Sequence, residues 1–307
     1  MAYLHENKEE FLNAVSLCVE KYGILPEIIE KDYYVTMILR LLAADQPAVV
    51  FKGGTSLSKC YKVIKRFSED IDITIDKDLT WGQKKKIKET IKTAASVLGL
   101  QIPNIDKTQS RNSYNKYIFE YDTVLRKTDP AIIPSVILET SYAEISFPTV
   151  MLPIDCYIGE LMKDEAPEET TNFLLDPFNM KVQSLERTLV DKVFAICDYY
   201  MKGEVRRHSR HIYDVYKLLP LISQDEALFR LIHEVRTIRA KNTGLCLSAQ
   251  PGINIPEMLK TIIDRDVYKA DYETLTSRIL NEKLPYETAI GAIRKITEAG
   301  LFEETEG

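Results

Sequence analysis

The chain has 307 residues, 45% hydrophobic and 28% charged, with a formal net charge of −6. That composition is ordinary for a soluble globular protein, and the length suffices to bury a sizeable core in one large or two ordinary domains. No apolar run reaches membrane-spanning length, Met1 to Lys21 lacks the basic end and apolar core of a signal peptide, and the five scattered cysteines, with no CxxC spacing, argue against a disulfide framework or zinc. The expected compartment is cytoplasmic. A negative chain has no global pull on nucleic acid, so any RNA contact has to rest on a local basic surface.

In chain order, Glu6 to Tyr22 reads as an amphipathic helix stopped by Gly23, and Pro26 opens a second. Ile28 to Ala44 is apolar enough to pack on a sheet. Val49, Val50 and Phe51 form a short apolar run that stops at Gly53 and Gly54, the pattern of a buried strand ending in a tight turn. A backbone without Cβ lets phosphate oxygens approach. Thr55 and Ser56 then offer N-cap chemistry for a helix to about Lys65, whose positive end faces an anion over the glycines. Lys59 and Lys62 lie three apart on that helix, where a cation could neutralise a triphosphate. Ile71, Ile73 and Ile75 alternate with Asp70, Asp72 and Thr74, a strand with one polar face. Period two puts both carboxylates on that face, with Cα atoms roughly 6.5–7 Å apart, able to converge on one or two Mg²⁺ ions. Ser68, beside them, is a candidate to hold phosphate, cap the strand or carry a regulatory phosphate.

Gly53-Gly54-Thr55 through Asp70-Ile71-Asp72 resembles the signature of the DNA polymerase β-like nucleotidyltransferase superfamily. Its longer form, Gly-Gly-Thr-x-Leu-x-Lys followed by Ser-x-Asp-x-Asp, is similar to the AbiEii/AbiGii toxin group within that superfamily. The resemblance implies a nucleotide held by Gly53, Gly54, Thr55, Ser56, Lys59 and Ser68, and a metal, Mg²⁺ or Mn²⁺, on Asp70 and Asp72. The segment Glu30-Lys31-Asp32-Tyr33-Tyr34-Val35-Thr36 is similar to the group's opening motif, while spacing alone reads it as a surface ion pair beside core aromatics.

Farther on, Thr80 caps a helix to about Leu98 carrying Lys84, Lys85, Lys86, Lys88 and Lys92, a solvated face or an RNA-facing one. Two strands follow, Tyr114 to Asp122 and Ser135 to Ile145. Glu139 interrupts the second, otherwise apolar strand, and a lone buried carboxylate needs a partner. We assign it as the third catalytic carboxylate, with Glu120 and Asp122 as rivals; the resemblance to the superfamily, which has this group on a later strand of the same sheet, implies that it acts on the metal and as general base for the attacking hydroxyl. Glu160 to Pro177 is polar and broken, a loop and domain boundary. Ser184 caps a helix ended by Gly203, and Val205 to Lys217 reads as another that gathers arginines with His208 and His211 on an exposed basic face. Asp191-Lys192, then Arg210, Tyr213 and Asp214, are similar to the later motifs of the toxin group. On that resemblance Lys192 contacts nucleotide phosphates, Arg210 assists phosphate or acceptor binding, and Asp214 is a further essential acid. Pro251 and Pro285 break the remainder into a bundle.

The expected fold is α+β: a nucleotidyltransferase domain over residues 1–160, a mixed sheet flanked by helices, then a helical bundle over 178–307 that contributes to the active-site cleft. The expected function is Mg²⁺-dependent transfer of a nucleoside monophosphate from an NTP to an acceptor. The resemblance implies RNA, at the 3′ end of tRNA, as that acceptor, with a phage-defence context and a cognate antitoxin as partner. Transfer to a protein or small-molecule hydroxyl is the enzymatic alternative. A non-catalytic nucleotide sensor is the alternative outside enzymes, and the presence of both aspartates speaks against it.

Overall fold

The computed structural model describes residues 3–66, 68, 70–129 and 132–303. Its first unit comprises Met1–Tyr61 and Ser68–Val182, its second Lys62–Phe67 and Gln183–Gly307. The first unit runs past the expected boundary because two strands absent from the sequence reading close the sheet.

Helices α1 (Lys8–Tyr22) and α2 (Pro26–Asp45) form where the apolar spacing predicts them, and the side chain of Asn7 caps the first. β1 (Val49–Lys52) leads into α3 (Gly53–Lys59), and β2 (Ile71–Ile75) carries the alternating isoleucines. α4 (Trp81–Val97) starts in a full capping box between Thr80 and Gln83. β3 (Tyr114–Glu120), β4 (Ser135–Ile145), β5 (Thr149–Ile154) and β6 (Phe178–Gln183) complete six strands in the order β3-β4-β2-β1-β6-β5. The sheet is mixed. β1 runs antiparallel to β2 and parallel to β6, while β4 runs parallel to β2 and antiparallel to β3. Tyr33, Ile38, Leu39 and Leu42 of α2 share the core with Phe51, Ile71, Ile73, Val136 and Leu138 of the sheet. Between β5 and β6 the expected loop is instead two helices, α5 (Tyr157–Glu165) and α6 (Pro167–Asn172), because the Cys156 cap and Pro167 each start a turn.

The second unit is helical: α7 (Leu185–Lys202), α8 (Arg210–Leu218), α9 (Glu226–Ala240), α10 (Ile255–Asp264), the short α11 (Lys269–Asp271) and α12 (Ser277–Ile279) joined by a π-helical turn at Tyr272–Thr276, and α13 (Tyr286–Glu298). α8 packs on both α7 and α13. It begins at Arg210, not Val205, since Arg207 sits at φ 70° and the Arg207 and Ser209 amides are held by Asp271 instead of helical carbonyls. Residues 62–66 enter this unit through their backbone groups: Asn281 N–H donates to Lys65 C=O, Lys65 N–H donates to the Tyr213 side-chain hydroxyl, and Arg66 forms a β-bridge with Leu280.

Candidate active site

β2 sets one acidic side chain against each neighbouring strand. Lys52 of β1 pairs with Asp72, Asp72 pairs with Glu139 of β4, and Glu139 pairs with Lys116 of β3. In-register partners point to one face, so four strands present the row Lys52, Asp72, Glu139, Lys116. The opposite face of the same strands is core: Ile71, Ile73, Leu138 and Thr140 are buried. Asp70, just before β2, is half-buried. Of the three rivals for the third carboxylate, Glu139 is therefore the one in register with Asp72. Glu120 lies at the far end of β3 opposite Ser135, and Asp122 falls outside the strand.

Gly53 brings the turn into this row. Its φ of +81° is a left-handed conformation, and a Cβ there would lie 2.0 Å from Asp72 Oδ2. Glycine is thus needed both for the backbone and for the carboxylate packed on it. Ser68 joins from the other side of the turn, its hydroxyl 3.0 Å from Thr55 Oγ1. Ser56 does not face outward; its hydroxyl donates to Gly53 C=O at 2.9 Å and the side chain is buried. Gly54 is buried in the first turn of α3.

Lys59 has another use than the one its spacing suggests. Its ammonium is buried and donates to Asp32 Oδ1 at 2.5 Å and Asp155 C=O at 2.7 Å, while Asp32 Oδ2 accepts from Tyr157 N–H. The expected surface pair in Glu30-Lys31-Asp32 is a buried clasp that ties α2, α3 and α5 together. Glu30 is buried too, accepting from Thr123 Oγ1 and Val124 N–H, and desolvation pushes its carboxyl above the usual range. The helix after the glycines also ends at Lys59 instead of Lys65, and Lys62 at φ 57° cannot extend it.

Tyr114 was not anticipated from the sequence. It stands half-exposed on β3, opposite Ser141, and donates its hydroxyl to Glu139. Partial burial, that bond and the charges of Glu139, Asp72 and Asp70 push its phenol above the ordinary value. Its signal in the sequence is only its position at the start of a strand, two residues before Lys116. Among the described residues, no three His, Cys, Asp or Glu side chains stand close enough together to hold a metal ion.

The second unit holds its own ionic cluster. Asp214 is fully buried and takes a bidentate bond from Arg66, Nε to Oδ1 at 2.7 Å and Nη2 to Oδ2 at 2.9 Å, with Lys192 Nζ 2.9 Å from Oδ2. Burial alone would raise Asp214, but Arg66 and Lys192 outweigh it and hold the carboxyl well below the usual range. Burial lowers Lys192, and Asp214 offsets part of that. His211, 3.4 Å from Lys192 Nζ, is buried and held well below 6.5 by desolvation and by Lys192 and Arg210. The exposed basic face expected of His208 and His211 is therefore not there: both rings stack with Tyr199. Asp191, next to Lys192, faces elsewhere, toward Arg187 and Arg239. Arg210 is half-exposed at the start of α8. Arg66, which completes the cluster, escaped the sequence reading because nothing local marks an arginine whose partner lies 148 residues on.

The mixed sheet thus carries carboxylates in register on adjacent strands beside a glycine turn, and the family match makes the chain a nucleotidyltransferase. The family described as "Nucleotidyl transferase AbiEii toxin, Type IV TA system" matches residues 38–292, well over half of the chain, and the chain belongs to it. The fold is similar to that of MenT4, a nucleotidyltransferase toxin from Mycobacterium tuberculosis H37Rv, with a TM-score of 0.59 and 15% identity over 95% of this chain and 90% of that one. No curated protein matches the chain. No helix among the described residues is long and apolar enough to cross a membrane.

Proposed function

We propose that this nucleotidyltransferase toxin moves a nucleoside monophosphate from an NTP to RNA, at the 3′ end of tRNA, with Asp70, Asp72 and Glu139 as the carboxylates that would supply ligands to Mg²⁺. The observation that carries the reading is the in-register pair Asp72 and Glu139 with Gly53 packed on the Asp72 carboxylate. The pair Asp72 and Glu139 on neighbouring strands would offer a hard divalent cation two carboxylates, leaving most of its coordination to phosphate and water. When bound, the cation neutralises charge on the reacting phosphoryl group. Glu139 accepts the proton of the attacking hydroxyl, whose oxygen forms the new bond to the α-phosphorus. The bond from that phosphorus to the bridging oxygen breaks, and its electron pair leaves with pyrophosphate. Gly53, Gly54, Thr55 and Ser68 lie against the nucleotide. An NTP and tRNA as substrates support a cytoplasmic reaction, and membership of a type IV toxin–antitoxin family supports a cognate antitoxin as partner.

The test is to incubate the full chain with each α-labelled NTP, Mg²⁺, total RNA and lysate protein, beside D70A and D72A. Label in a tRNA-sized band that both variants lose is the expected result. Label in protein would replace RNA as acceptor, and NTP binding with no label in any fraction would turn the reading toward a nucleotide sensor.

A further inference from the structure

We infer that Lys52 is the cation that receives the nucleotide's phosphates at the glycine turn, an inference that rests on the first unit being the site of nucleotidyl transfer. The residue expected for this from spacing, Lys59, is buried and committed to Asp32 and Asp155. Lys116, at the far end of the carboxylate row, sits 3.9 Å from Glu139. Lys52 differs from both. It is the last residue of β1, its backbone extended at φ −142° and ψ −169°, and it is followed at once by Gly53 and Gly54. Its register with Asp72 puts its side chain on the face of the carboxylates, with the two Cβ atoms about 5 Å apart. The side chain is half-exposed, and among the described residues no hydrogen bond or ion pair takes up its ammonium.

These facts describe a flexible point charge rooted beside the metal-binding carboxylate and next to a backbone that lacks Cβ atoms. A compact ammonium on a four-carbon stem is the usual way to neutralise a polyphosphate without demanding a fixed geometry. The chemical class it selects is the triphosphate, not the base or the sugar. If Lys52 served only to offset Asp72, its removal would change the stability or metal affinity of the fold and leave polyphosphate binding alone.

The full chain is titrated with sodium triphosphate in EDTA-containing buffer, and NTP turnover is then measured with Mg²⁺. K52M keeps the stem and removes the charge; K52R restores a charge. We expect K52M to weaken triphosphate binding and to raise KM for NTP by about tenfold each, with kcat within about twofold, and K52R to recover most of both. Lys52→Gln serves in place of K52M should that variant not fold. A folded K52M that binds triphosphate and NTP as the unsubstituted chain does would overturn the inference, as would an unsubstituted chain that takes up no triphosphate. Failure of the unsubstituted chain to label any acceptor sinks the transferase reading instead, and the triphosphate titration still decides on Lys52 separately.

Discussion

Gly53 links the conformation of one residue to the chemistry of another. Alanine there would be strained at φ +81° and would drive a methyl group into the Asp72 carboxylate. G53A is expected to lose about 1–3 kcal/mol of stability and to abolish transfer, read by thermal melting and NTP incorporation. At Glu139 the effects should separate. E139Q is expected to lower kcat by about 100-fold or more while leaving the melting temperature unchanged or raised, since it removes repulsion from Asp72. E120Q, by contrast, should turn over normally, and equal losses in the two variants would reassign the third carboxylate. At this scale the sequence is informative where a polar residue breaks an apolar alternation, as Asp72 and Glu139 do. It is silent about Tyr114, whose place depends on β3 pairing with β4.

Elements are legible when their signals are local. The Thr80 cap of α4 and the alternation of β2 stand in the sequence as they stand in the fold. α3 was overextended because lysines at helical spacing look the same whether the backbone continues or turns left-handed at Lys62. The clasp between Asp32 and Lys59 spans 27 residues, and the bonds from Thr123 and Val124 to Glu30 span more than 90; spacing within one helix carries neither. Arg66 shows the cost of such long-range pairing. R66M would leave Asp214 buried with only Lys192 to balance it, and should destabilise the chain by about 3–5 kcal/mol in urea unfolding. Arg66→Lys should recover only part of the loss, because a lysine cannot reproduce the two-pronged bond.

For the molecule as a whole, pH couples to these buried charges. His211 is held well below 6.5 in the folded state, so below that pH the unfolded chain binds a proton that the folded chain refuses. Stability therefore rises with pH through this range, and acidification from pH 7 toward 5 should lower it, at most by about 1.4 kcal/mol per pH unit from this group. H211N should flatten that slope. Asp214 acts at lower pH: its folded value is depressed, so its contribution is present above the ordinary carboxylate range near 4 and fades as pH falls through the folded value. A denaturation series from pH 7.5 to 5 would isolate the His211 phase, and its extension below pH 4 would follow the Asp214 phase from its onset. The division into two units was only partly legible, since composition marks a polar stretch near Glu160 but not that 62–67 belongs with residues beyond 182.

That short excursion has a consequence for how the protein is made. Arg66 leaves the ribosome 148 residues before Asp214, a wait on the order of ten seconds at ordinary elongation rates. Until the second unit has emerged, Lys65 and Arg66 lack the Tyr213, Asp214 and Asn281 partners that they have in the finished fold. A nascent or prematurely terminated chain is thereby left without these bonds, and full stability should arrive only with the completed chain.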